Sequence, residues 1–121
     1  MYHILVCDDE RDIVSALRIY LTAEGYRVLK AYNGKEALAI AGREDVHLIL
    51  MDIMMPVMDG IQAAKTIRAM NRPDAQKVII LAMTAQTAQE CVDECSRSGM
   101  DGHIAKPVES RQLVKQILED M

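Results

Sequence analysis

Residues 46–60 read VHLILMDIMMPVMDG, an apolar run that ends at Asp52 and continues into a loop containing proline and glycine. Short apolar runs bounded by turn residues are typical of strands buried on both faces of a parallel sheet. The segment that follows, from Gly60 to about Met70, is predicted to be a helix that ends before Pro73. A strand, a loop at its carboxyl end and a helix thus form one structural unit.

The same unit is repeated along the chain. Five apolar runs are each followed by a segment of helical character, with no linker or low-complexity stretch between them. The predicted strands are 4–7, 28–32, 46–51, 78–83 and 103–105. This alternation predicts an α/β domain with a parallel sheet flanked by helices.

Helix signals agree with this alternation. Apolar residues recur at helical spacing after the first strand, and Gly25 follows them as a typical helix stop. Asn33 is predicted to cap a second helix over 34–43, with Glu36 placed to reach back to the amide of the cap residue. A fourth helix is expected to stop at Gly99, and a fifth ends the chain.

Composition limits the possible functions. The 121 residues, 50% of them hydrophobic, predict one domain over 1–121. A net charge of −4, scattered basic residues and only four aromatic residues, all tyrosine, argue against direct nucleic-acid binding. The longest uninterrupted apolar run, 78–83, is too short to span a bilayer. Three cysteines without zinc-like spacing and no secretory-type leader indicate a cytoplasmic protein with no membrane association of its own.

Ionisable and hydroxyl side chains follow four of the five predicted strands. Because parallel strands present their carboxyl ends at one edge of a sheet, we expect these side chains to converge there. A cluster of carboxylates is tolerable at neutral pH when a hard divalent cation neutralises it, and a carboxylate is a known nucleophile toward phosphorus. The converging residues are Asp8, Asp9, Glu10, Asp52, Thr84 and Lys106.

Four motifs resemble the receiver domains of two-component signalling, and the resemblance covers essentially the whole chain. They are Asp8-Asp9-Glu10, residues 52–60, Thr84-Ala85 and Lys106-Pro107. Each motif alone is weak, but all four in order at successive strand ends are specific. The resemblance implies a flavodoxin-like (βα)5 fold with strand order 2-1-3-4-5 and helices on both faces.

The resemblance also implies a metal-assisted phosphorylation site. Asp52 would be the phosphoacceptor and, with Asp9, would hold Mg²⁺ or Mn²⁺. Asp8 would act on the metal through a water, and Met54 would contribute only its backbone carbonyl. The phosphoryl group would come from a sensor histidine kinase or a histidine phosphotransfer protein.

Further residues of the family pattern follow the fourth and fifth strands. Thr84 would move its hydroxyl toward the phosphoryl group, and Lys106 would pair with that group, directed by a cis bond to Pro107. His103 stands where receivers usually carry tyrosine or phenylalanine as part of the switch. A pH-sensitive switch and an ordinary strand histidine both stay open there.

The expected output is a changed surface at helix four, strand five and helix five, presented to a downstream effector domain or protein. A phosphorylation-dependent homodimer is also plausible. The only chemistry would be the chain's own phosphorylation and dephosphorylation, the latter slow because Met54 cannot orient an attacking water near Gln86. Residues 99–103 favour a receiver from a hybrid kinase, the initial methionine favours a free-standing regulator, and the two stay open.

Other interpretations of the same residues compete with this one. An aspartyl-nucleophile phosphatase would need a second carboxylate at position 54, where the chain has methionine. A phosphorylation-independent interaction scaffold normally shows losses among the site residues, and none is lost here. Taken singly, Asp9 could cap the first helix and Thr84 the fourth, and Lys106 could be a solvated surface residue.

Overall fold

The computed structural model describes residues 2–53, 60–70, 78–84, 97–105 and 115. Within these ranges five strands and three helices alternate. They are β1 (His3–Cys7), α1 (Arg11–Ala23), β2 (Arg27–Ala31), α2 (Gly34–Arg43), β3 (Leu48–Asp52), α3 (Gly60–Arg68), β4 (Ile79–Thr84) and β5 (Gly102–Ala105). The predicted helices four and five fall largely outside the described residues. No helix in the described ranges is both long and apolar enough to cross a membrane.

The five strands form one parallel sheet in the order β2-β1-β3-β4-β5. The predicted fold class and strand order are thus confirmed. All five residues of the central strand β3 are buried, as its continuous apolar sequence indicated. β2 ends one residue earlier than predicted because the amide of Tyr32 donates to Glu36 Oε1 (2.8 Å) rather than to a neighbouring strand.

Two hydrophobic layers cover the sheet, one on each face. Alternate strand side chains point to opposite faces, so Val6 and Leu50 lie in the layer with α1, while Leu5 and Ile49 lie in the layer with α2 and α3. The α1 layer is filled by large side chains such as Leu21, whereas alanines dominate the inner surfaces of α2 and α3. Helices on both faces leave the two edges where the strands begin and end as the places for a site.

The predicted helix ends are confirmed for the most part. Gly25 adopts φ +94° after α1, the left-handed conformation that favours glycine. Asn33 caps α2 by accepting the amide of Glu36 at 2.9 Å. The Glu36 side chain, however, accepts the amide of Tyr32 rather than that of Asn33. The capping box therefore closes one residue earlier than the sequence predicted.

Candidate functional site

Three carboxylates meet where β1 and β3 end. Asp8 and Asp9 follow β1 directly, and Asp52 is the last residue of β3. These strands are parallel neighbours, with Cys7 opposite Met51, so their ends lie side by side. One oxygen from each carboxylate lies within 4.8 Å of one from each of the others. The structure thus brings together all three carboxylates that the sequence analysis selected as metal ligands.

The three carboxylates differ in exposure. Asp8 is fully buried and Asp52 is 3% exposed, whereas Asp9 is exposed. Asp8 is held in place by two bonds: its Oδ1 accepts the amide of Glu10 (2.9 Å), and its own amide donates to the carbonyl of Ala31 (3.2 Å). Glu10, not Asp9, occupies the N-cap position of α1. The alternative in which Asp9 merely caps that helix is therefore wrong.

Buried carboxylates so close together impose a strong electrostatic condition. Removing two like charges from water is unfavourable unless a cation or a proton compensates them. All the clustered ligand atoms are carboxylate oxygens, which suit hard divalent ions better than the nitrogen- and sulfur-preferring transition metals. The donor set therefore fits a magnesium-type ion.

Cys7 is buried beside this negatively charged region. Burial raises the pKa of its thiol from 9.0 to about 12, and the negative charges of Asp52 and Asp8 add to that effect. The thiol donates to the carbonyl of Asn33 at 3.4 Å. Cys7 is thus a protonated core residue, as expected for a buried strand position, and is not a competing nucleophile.

Two further sequence-predicted residues, Thr84 and His103, lie on β4 and β5. Thr84 ends β4, one residue beyond Met83, which is the register partner of Asp52, and it pairs with Ala105 of β5. His103 is exposed on β5. The predicted roles of Met54, Gln86, Lys106 and Pro107 fall outside the described residues.

Comparison with known sequences identifies the family. Residues 4–118 match the response regulator receiver domain. The chain belongs to this family. A curated relative of the receiver domain, the transcriptional regulatory protein SrrA of Staphylococcus aureus, is 35% identical over 114 residues, which cover 94% of this chain and 45% of SrrA. The chain therefore spans less than half the length of that relative.

Solved structures share the fold of this receiver domain. The chemotaxis protein CheY4 of Vibrio cholerae superposes with a TM-score of 0.95 at 30% identity, covering 100% of this chain and 99% of CheY4. The receiver domain of the sensor histidine kinase PA1611 of Pseudomonas aeruginosa, which has magnesium coordinated in its active-site cleft, superposes with a TM-score of 0.88 at 31% identity, covering 98% and 95% of the two chains. The resemblance drawn from the four motifs is confirmed.

Two features of the site were missed in the sequence. Gly60 begins α3 so close to the end of β3 that a Cβ would contact the carbonyl of Asp52 and lie 2.9 Å from Cα of Ile53. The guanidinium of Arg11 lies 4.1 Å from the ring centroid of Tyr32, next to the start of α1. The glycine at the end of a proline-containing loop was a local signal for the close approach of Gly60 to Asp52. No local pattern predicted the contact of Arg11 with Tyr32.

Proposed function

We infer that this receiver domain is a phosphorylatable switch that accepts a phosphoryl group on Asp52. The observation that carries the inference is the placement of Asp52. It is nearly buried at the end of the central strand, with Asp8 and Asp9 on the neighbouring strand end and one oxygen of each within 4.8 Å. Such a group can act as a nucleophile only where its charge and that of the incoming phosphoryl group are compensated.

The three carboxylates would hold Mg²⁺ or Mn²⁺. Support comes from their all-oxygen donor set and from the magnesium in the cleft of the PA1611 receiver domain. A bound divalent ion supplies positive charge that offsets the carboxylates and the oxygens of the transferred group. The amide of Glu10 and the carbonyl of Ala31 in β2 hold Asp8 in place, and Met54 would add its backbone carbonyl.

The phosphoryl transfer involves one bond made and one broken. A carboxylate oxygen of Asp52 forms a bond to phosphorus while the phosphorus–nitrogen bond of a phosphohistidine breaks, and its electron pair stays on the imidazole nitrogen. Lys106 would neutralise the transferred oxygens, and Thr84 would approach them with its hydroxyl. Because phosphoryl transfer depends mainly on positioning and charge stabilisation, no further nucleophile or acid is required.

Partners and output follow from the same proposal. The donor would be a sensor histidine kinase or a histidine phosphotransfer protein, and the receiver would present its helix four, β5 and helix five surface to an effector. His103 lies exposed within this surface. Slow self-dephosphorylation, a phosphorylation-dependent homodimer and a cytoplasmic location stay predictions.

The decisive experiment is incubation with acetyl phosphate, with and without Mg²⁺, followed by intact mass. We expect a Mg²⁺-dependent gain of one phosphoryl group that is absent in Asp52→Ala. Asp45→Ala is the matched control, because Asp45 is exposed and precedes β3 at the opposite edge of the sheet. A folded native chain that gains no mass would contradict the proposal and favour a phosphorylation-independent scaffold.

A further inference from the structure

A second polar cluster lies at the opposite edge of the sheet from the carboxylates. Arg68, the last residue of α3, donates through Nε to the carbonyl of Gly99 (2.9 Å), through Nη1 to the carbonyl of Val78 (2.6 Å) and through Nη2 to Oδ2 of Asp101 (2.8 Å). We name the set Arg68, Val78, Gly99 and Asp101 the Arg68 clasp. It joins the end of α3 to the segments that lead into β4 and β5.

Both the geometry and the charge of the clasp favour arginine at position 68. The side chain of Arg68 is only 14% exposed, whereas that of Asp101 is 45% exposed. Gly99 has φ +95°, and a Cβ there would lie 2.8 Å from Cγ of Arg68. The planar guanidinium reaches three acceptors in different directions at once, which the single ammonium group of a lysine cannot do.

Asp101 connects the clasp to the register of β5. Its amide donates to the carbonyl of Ile80 (2.8 Å), and its Oδ2 accepts the amide of Ile80 (2.8 Å) in addition to Arg68. These two bonds extend the β4–β5 ladder one step before the first regular pair, Leu81 with Gly102. The carboxylate of Asp101 thereby accepts a β4 amide one residue before β5 begins.

β5 requires such an anchor because its own register is weakly determined. It is a four-residue edge strand that begins with glycine and pairs only with β4. Ile104 is buried, but His103 is exposed. Short edge strands with few buried side chains have little hydrophobic preference for one register, and a slip of one residue moves the chain by about 3.3 Å and reverses its faces.

We propose that Arg68 is a positioning residue for phosphoryl transfer, because the clasp sets the register of β5 and hence the position of Ala105, the residue that precedes Lys106. Lys106 follows Ala105 directly in the sequence. The inference rests on the proposed function, in which Lys106 neutralises the transferred oxygens. The carboxylates, by contrast, lie at the ends of β1 and β3, whereas the three bonds of the clasp join α3 to the segments that lead into β4 and β5.

If the clasp positions Lys106 but not the carboxylates, a change at Arg68 should lower the rate of phosphorylation without changing the affinity for Mg²⁺. In Arg68→Ala the rate of phosphorylation by acetyl phosphate at saturating Mg²⁺ should fall at least about threefold and up to about a hundredfold, as for small misplacements of a reacting group. The midpoint of Mg²⁺ binding, measured by calorimetric titration without phosphodonor, should be unchanged. Two milder variants replace Arg68→Ala if that chain does not fold. Arg68→Lys keeps the charge and most of the stem, and Asp101→Asn is nearly isosteric. Both should show a lower rate with an unchanged midpoint of Mg²⁺ binding.

Two control variants exclude simpler explanations. Ile67 precedes Arg68 in α3, and its side chain is 2% exposed. Ile67→Val therefore lowers the stability of the same helix without changing the clasp. Arg97→Ala removes an exposed positive charge from the groove of about 440 Å³ that Arg68 and Asp101 also line. Both should phosphorylate at the native rate.

The outcomes distinguish this inference from the proposed function. No phosphorylation of the folded native chain would remove the proposed function itself. Native-like rates in the clasp variants would overturn the positioning role of Arg68 and leave the proposed function standing. Equal losses of rate and Mg²⁺ affinity that Ile67→Val reproduces would do the same. A slower rate at unchanged Mg²⁺ affinity, confined to the clasp variants, would establish it.

Discussion

Among individual side chains, Cys7 shows how burial beside the carboxylates changes ionisation. Cys7 precedes Asp8, and burial together with the charges of Asp52 and Asp8 raises its pKa to about 12. A thiol whose pKa is raised by folding stays protonated in the native state while it ionises in the unfolded chain. Its contribution to stability is therefore complete below pH 9 and is lost as the pH rises toward 12.

The first prediction concerns this alkaline loss. Between pH 8 and pH 10 the free energy of unfolding of the native chain should fall by about 1 kcal/mol more than that of Cys7→Ala, because the unfolded thiol releases its proton first. Urea unfolding at several pH values measures the difference. Parallel pH profiles for the two chains would show that the ionisation of Cys7 is not shifted by folding.

A second prediction at this scale concerns Asp8. Asp8→Asn keeps an oxygen that can accept the amide of Glu10 but removes a buried charge from the cluster. Saturating Mg²⁺ should then raise the free energy of unfolding by about 1 kcal/mol less than in the native chain, because binding to the folded state alone is what stabilises it. Asp45→Asn, at an exposed position remote from the cluster, should gain as much as the native chain. An undiminished gain in Asp8→Asn would remove Asp8 from the metal site.

At the scale of elements, the start of α3 is placed by contact with β3. Gly60 lies against the carbonyl of Asp52 and donates its amide to the carbonyl of Ile53 (3.3 Å). The same helix ends at Arg68 in the clasp. α3 is therefore attached at one end beside Asp52 and at the other end beside the segment that leads into β5.

A pair of glycine variants tests the first attachment. Gly60→Ala should lower the free energy of unfolding by about 2 kcal/mol, because overpacking against backbone outweighs the helix propensity of alanine. Gly42→Ala, in α2 where a Cβ meets nothing within 4 Å, should instead raise it by about 0.5 kcal/mol. Thermal unfolding of both variants checks the signs. A stabilised Gly60→Ala chain would mean that α3 does not need its close approach to β3.

At the scale of the whole molecule, the sheet separates two polar regions. The carboxylates lie at the ends of β1 and β3, and the Arg68 clasp lies where β4 and β5 begin. Parallel strands connect the two regions, since a register chosen at one end determines the position of side chains at the other. This receiver domain thus has the carboxylates at one edge of the sheet and the Arg68 clasp at the opposite edge.

Local sequence patterns were sufficient to predict the architecture and the grouping of the three carboxylates. Apolar runs and helical spacing are local properties, and parallel connections put every strand end at one edge, so Asp8, Asp9 and Asp52 could be brought together without coordinates. It stays a prediction that one receiver domain extends over residues 1–121. The proposed roles of Thr84 and Lys106 also stay predictions.

Contacts between segments that are remote in the sequence could not be predicted and are known from the folded structure. Arg68 and Asp101 are 33 residues apart, and their pairing requires that α3 end beside the segment leading into β5. Gly60 was predicted to begin the third helix, but its close contact with the carbonyl of Asp52 became evident only in the folded structure. Glu36 shows the same limit at short range, because the bend of the chain after β2 directs its carboxylate to Tyr32 rather than to Asn33. Periodicity specifies which face of an element is buried, but the atoms that meet there depend on how the elements pack.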